Sequence, residues 1–189
     1  MDRFLFLALC MSACGGSTTR FEQVWRAPNA EAQKVVTLYE SQDGAMRRTV
    51  EDKLARQLAS RRIIAVPAHT VLGTGDILDR DAARRTLIDH GFDGVVVVRL
   101  IGTEMYPGDR SSMATWGASW PTSYEDYVFD SPVVRLETTL YSLRDDTMLW
   151  SARSRTADAQ STNEVIDQVT SLVAATLQRQ GVAIATAQR

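Results

Sequence analysis

The chain has 189 residues and a mass of 21.0 kDa. A chain of this size buries roughly 70% of its unfolded surface, enough for one domain with a real core and cramped for two. Hydrophobic content of 44% against 23% charge excludes a disordered chain, and a net charge of -2 with pI near 5.7, without a local basic patch, gives no field for nucleic acid.

Arg3 supplies a minimal positive start, Phe4 to Met11 form an apolar run, and Ser12 and Ala13 are small residues before Cys14. This reads as a secretion signal over residues 1–13. The run is far shorter than the ~20 residues that span a bilayer, and no later stretch reaches that length. Met11-Ser-Ala-Cys14-Gly-Gly resembles the lipobox of bacterial lipoproteins, with Met11 in place of the usual Leu. The resemblance implies diacylglycerol on Cys14 and cleavage before it. Cys10 competes, but Leu9 is bulky for the residue before a cut; an ordinary secreted protein or a buried cytosolic helix are the plainer alternatives. Gly15 rather than Asp after the cysteine points, by the same resemblance, to the outer membrane and a periplasm-facing domain. With Cys10 removed and Cys14 lipidated, no thiol remains for a disulfide or a metal.

Residues 14–20 read as a lipidated flexible tether. The domain, 21–182, begins near Phe21 or Trp25. Val35, Val36, Leu38 and Tyr39 mark a strand ended by Gln42-Asp43-Gly44. From Ala45 to Arg61, Met46, Val50, Leu54 and Leu58 recur every four residues, with Arg47, Glu51, Asp52 and Arg56 on the other face of a helix. Ile63 to Val66 is a second strand stopped by Pro67. Asp79 or Asp81 caps a second helix that ends at Gly91. Four consecutive valines, Val95 to Val98, suggest a strand covered on both faces. Val134 to Tyr141 alternate, and Arg144-Asp145-Asp146 turn the chain into Met148 to Arg155 as a hairpin. Ser161 and Glu164 make a capping box before a last helix stopped by Gly181, and 183–189 read as a frayed tail. The expected fold is α/β (α+β): a single three-layer domain in the order β-α-β-α-β-loop-β-β-α. Its mixed five-stranded sheet has a parallel core, the first three strands ordered 2-1-3, and the antiparallel hairpin at one edge.

Trp25, Pro28, Lys34-Val-Val36, Gly91-Phe-Asp-Gly-Val-Val-Val-Val-Arg-Leu100, Leu136-Glu-Thr-Thr-Leu-Tyr-Ser-Leu143 and Met148-Leu-Trp-Ser151 together resemble a family of proteobacterial outer-membrane lipoproteins of unassigned function. The element order is also similar to the TolB amino-terminal domain and to the penicillin-binding-protein activator LpoB. These resemblances imply a fold and a compartment, and transfer no site.

Chemical motifs are sparse. His69 follows Pro67 in a loop, and His90 sits at a helix end where it meets exposed carbonyls. Neither has ligands at metal spacing, so no metal, catalytic residue or small-molecule cofactor is expected. Gly73-Thr-Gly75-Asp76 lacks the lysine and full glycine pattern of a phosphate loop. Asp145 and Asp146 suit a tight turn. The doublets Arg47-Arg48, Arg61-Arg62 and Arg84-Arg85 read as solvated faces, and Glu137 as the partner of Arg153 or Arg155 across strands. The exception is the loop 105–131, which is long and mixes aromatic with small polar residues. Trp116, Trp120, Tyr124 and Tyr127 are its candidate partner-binding residues, and the same rings could instead seal a sheet edge. The expected function is a non-enzymatic, lipid-anchored envelope protein that binds a partner protein or a glycan such as peptidoglycan. A structural or assembly component of an outer-membrane complex is the alternative, and an unrecognised hydrolase a more distant one.

Overall fold

Strands follow the β-branched runs and helices the four-residue periodicity, in the order β1 (Thr18–Arg26), β2 (Lys34–Glu40), α1 (Gly44–Ala59), β3 (Ile64–Pro67), α2 (Arg80–Asp89), β4 (Gly94–Glu104), β5 (Val133–Ser142), β6 (Met148–Ala157) and α3 (Thr162–Arg179). These elements come from a computed structural model that describes residues 17–73, 79–104 and 133–183. The signal 1–13, Cys14 and the loop 105–131 lie outside the described residues.

The sheet is mixed, ordered β1-β6-β5-β4-β2-β3. β3, β2 and β4 are parallel, in the 2-1-3 arrangement expected of the first three strands. The β4–β5 and β5–β6 pairs are antiparallel. Six strands stand where five were expected. β1 pairs antiparallel with β6, so the late hairpin lies inside the sheet, and Thr18 to Arg20, expected as tether, pair with Ala157 to Arg155. β1 is polar because it is an edge strand whose residues are mostly exposed. Its main attachment to the core is Phe21, which packs edge-on against the buried Trp150 with ring centroids 5.9 Å apart. At the other end, Ala183 is buried and pairs with Ala32, so the domain runs one residue past the expected boundary.

The caps are local and follow the sequence closely. Asp43 accepts from the Ala45 and Met46 amides, and Asp79 rather than Asp81 caps α2 by accepting from the Asp81 and Ala82 amides. Ser161 accepts from the Glu164 amide, while the Glu164 carboxylate reaches back to the Gln160 amide at 2.8 Å. Gly91, at φ +75°, ends α2 in the left-handed region. The rest of the Gly91-Phe-Asp-Gly motif is also structural. Phe92 is buried, the Asp93 carboxylate accepts from the Gln33 and Lys34 amides at 2.9 Å each, and a Cβ on Gly94 would sit 3.1 Å from Leu140.

α1 and α3 cover one face of the sheet, here called the inner face. Leu54 and Leu58 of α1 and Val169, Val173 and Leu177 of α3 bury against Val35, Val96, Leu136, Leu140 and Trp150. α2 lies on the outer face, over a smaller cluster of Val36, Ala68, Leu72, Leu87, Phe92 and Leu143. The four valines of β4 divide between the faces: Val96 and Val98 are fully covered, whereas Val95 and Val97 point outward and are half-buried. Val97, expected in the core, therefore belongs to the thinly covered face.

Candidate functional site

Trp116, Trp120, Tyr124 and Tyr127 lie outside the described residues. Among the described residues, three features of the sheet and its flanks carry polar chemistry.

The first is a buried carboxylate. Glu51, placed by periodicity on the polar face of α1, is wholly buried. Its Oε1 accepts from the Tyr39 amide at 3.3 Å, and its Oε2 lies 2.9 Å from both the His69 amide and His69 Nδ1. Its carbonyl accepts from the Thr37 hydroxyl. His69 Nε2 is 3.4 Å from Asp52. A carboxylate removed from water is costly unless its oxygens are satisfied. Here they fasten α1 to β2 and to the 3-10 turn after β3. The pair therefore serves cohesion: both oxygens are engaged, and His69 is held at the carboxylate rather than at an open site. The signal for this burial was present, since position 51 lies three, four and seven residues before Leu54, Ala55 and Leu58 on one helix stripe. His90, in contrast, does what its position suggested, with Nδ1 2.8 Å from the Thr86 carbonyl.

The second is an ion-pair row across the outer face. Register places Arg99, Glu137 and Arg153 side by side on β4, β5 and β6. Arg99 Nε donates to Glu137 Oε2 at 2.7 Å and Arg153 Nε to Oε1 at 3.0 Å. Glu137 thus has two guanidinium partners, Arg153 as expected and Arg99 in addition, and none at Arg155. Burial pushes the Glu137 carboxyl up, but the hydrogen bonds from Arg153 and Arg99 outweigh it and hold the group below the usual carboxylate range. The hydrogen bond to Glu137 raises Arg99 in turn. Beyond this row, Trp25 and Met148 leave apolar surface open, at 47% and 39% exposure.

The third is a cavity of 520 Å³ between α2 and the outer face. Val36 and Leu38 of β2 stand beside Val95 and Val97 of β4 as its aliphatic floor. Leu72, Ala83 and Leu87 wall it, and Arg47, Arg80 and Arg84 reach it from the rim. Arg84, expected on a solvated face, instead clamps α2 to the β5–β6 turn: its Nε donates to the Leu143 carbonyl at 2.6 Å and its Nη2 to the Arg144 carbonyl at 2.5 Å. Arg80 pairs with Asp146 at 2.6 Å.

Among the described residues no group of three His, Cys, Asp or Glu side chains is placed to hold a metal ion, and no helix is long and apolar enough to cross a membrane.

With this geometry in hand, the likeness to known proteins is one of fold. No protein-family model and no curated protein sequence matches the chain. Among solved structures, a variant of PelC from Paraburkholderia phytofirmans, a dodecamer, superposes with a TM-score of 0.52 at 15% identity, covering 86% of this chain and 98% of its own. The lipoprotein GNA1162 from Neisseria meningitidis matches with a TM-score of 0.43 at 16% identity, over 77% of this chain and 96% of its own.

Proposed function

We propose that this chain is a non-enzymatic, lipid-anchored envelope protein, held at the outer membrane through Cys14 and facing the periplasm, that docks a partner protein or an envelope glycan. The observation that carries the docking reading is the uneven cover of the sheet. The inner face is closed by two long helices, while the outer face offers an ion-pair row and the exposed Trp25 and Met148. Exposed apolar surface beside hydrogen-bonding charge is the make-up of a recognition surface. Trp116, Trp120, Tyr124 and Tyr127 remain the candidate anchors of that contact from the loop 105–131. The non-enzymatic reading is supported by Glu51 and His69, the most enzyme-like pair described, whose polar atoms are engaged in holding the fold. The anchor reading is supported by the signal and Met11-Ser-Ala-Cys14.

A second reading, an assembly component built from copies of itself, is favoured by one observation. The fold is shared with PelC, whose structure is a dodecamer, and β1 stands at the edge of the sheet here. An unpaired edge is a template for further strand pairing.

Two measurements test the proposal. Metabolic labelling with a fatty acid should mark the wild type and the Cys14→Ala variant should lose the label; label retained by that variant overturns the anchor assignment. Crosslinking in intact cells should fall sharply in a Trp116→Ala, Trp120→Ala double variant whose thermal unfolding is unchanged, since Trp and Tyr dominate interface hot spots. A stable double variant that crosslinks as well as wild type removes those residues from the contact, and products that are only multiples of the chain favour the assembly reading.

A further inference from the structure

The cavity under α2 has a composition that the docking of a macromolecule does not require. Its floor is four contiguous aliphatic side chains, Val36, Leu38, Val95 and Val97, two from each of two parallel neighbours. Water over such a floor finds few hydrogen-bond partners. The volume of 520 Å³ falls in the range that encloses a small molecule.

The polar side of the cavity is cationic in character. Arg80 is neutralised by Asp146. Arg84 donates to carbonyl oxygens, which satisfy its N–H groups without cancelling its charge. Glu40 lines the cavity as well, exposed to solvent, so three arginines stand against the carboxylates of Glu40 and Asp146. Arg47 is the distinctive member. Its side chain is 15% exposed, and its Nε is buried with no hydrogen-bond partner among the described residues. Glu51 Oε1, 3.8 Å away, gives it a long ion pair within α1 rather than a hydrogen bond, and already accepts from the Tyr39 amide. A guanidinium in this setting lacks the planar, two-oxygen acceptor that suits it best.

We propose that this cavity is a binding site for an anionic amphiphile, with a carboxylate or phosphate head held at Arg47 and an aliphatic chain laid on Val36, Leu38, Val95 and Val97. Arg84 adds positive field at the head-group end, and Leu87 covers the chain from α2. The site is independent of the docking reading above, because it uses the covered part of the outer face rather than the exposed part beyond the ion-pair row.

The test is methyl NMR of the full chain, Val- and Leu-labelled, in lipid nanodiscs, titrated with dodecanoate, dodecyl phosphate or dodecanol below micelle-forming concentration, with uptake by empty nanodiscs subtracted. The expected result is saturable shifts of the Leu38, Val95 and Val97 methyls with the two anions, and binding of dodecanol weaker by about tenfold or more, the gap that hydrogen bonds to a charged group produce. The stronger of the two anions tells whether the head is a carboxylate or a phosphate. Arg47→Gln should remove the preference for anion over alcohol, and Val97→Trp, which fills the floor from a half-exposed position, should abolish binding of all three. Equal affinity for dodecanoate and dodecanol in the wild type overturns the role of Arg47. Binding that survives Val97→Trp, or no binding of any probe, overturns the site, and neither result depends on whether Arg47→Gln folds.

Discussion

The two faces of the sheet are built from the same strands and differ in what closes them. On the inner face, α1 and α3, of 16 and 18 residues, bury most of the alternate side chains of β2, β4, β5 and β6. On the outer face, the 10 residues of α2 cover the β2–β4 side as far as the β5–β6 turn and bury chiefly Leu87. Alternation along a strand makes both faces out of one sequence, so the consecutive valines of β4 include two structural anchors and two residues of a cavity floor. The comparison separates stability, which resides on the inner face, from recognition, which is available on the outer one.

The sharpest way to break that division is to truncate both sides. Trp150→Ala removes the largest wholly buried side chain and should cost about 3 to 5 kcal/mol, whereas Val97→Ala should cost about 1 kcal/mol or less, because half-buried methyls leave little cavity. Urea midpoints of the two variants decide it, and a Val97→Ala loss equal to that of Trp150→Ala would show both faces to be core. Glu51→Gln comes next. It keeps the shape but exchanges one acceptor oxygen for a donor, and should lower stability by roughly 1 to 3 kcal/mol as His69 and an amide lose their acceptor. An unchanged midpoint would mean that the carboxylate does not hold α1 in place.

The ion-pair row gives a pH-dependent effect. The folded Glu137 carboxyl titrates below its ordinary range, so its stabilisation is present above the unfolded value of about 4.3 and is lost as pH falls through the lower folded value. Glu137→Gln should therefore lose less stability than wild type between about pH 6 and about pH 3, and equal acid losses would contradict the pairing with Arg99 and Arg153. The most local effect belongs to the edge. Phe21→Ala should cost about 1 to 2 kcal/mol, since Phe21 is only partly buried against Trp150. It should also raise amide exchange across Thr18–Arg26 with little change elsewhere; uniform exchange over the whole chain would make β1 an integral part of the core.

What the sequence made legible was local. Asp79 and Ser161 are cap residues placed before clear periodic stretches, the four-residue period marks α1 although its cap Asp43 read only as a turn residue, and Gly91 ends α2 as its type suggests, so three helices could be located to within a residue or two. The parallel order of β3, β2 and β4 followed from crossover handedness. β1 was missed because an edge strand buries few side chains and so needs no apolar alternation: Thr18, Arg20, Glu22 and Gln23 carry polar groups into it. Glu51 was misplaced because residue type was read before position. The cavity was only half visible, since unbroken valines announce cover on both faces without saying that α2 is too short to complete one of them. Of the arginines at its rim, Arg80 and Arg84 lie one turn apart on α2, but Arg47 is distant in sequence and meets them only through the fold.

The division between the faces is tested most directly by a photo-crosslinking amino acid placed in living cells at Trp25 or Arg153, on the outer face, and at Arg56 or Asp167, exposed on the helical layer. Crosslinked products are expected from Trp25 and Arg153 and not from Arg56 and Asp167. Products arising only from the helical positions would contradict the assignment of recognition to the open face of the sheet.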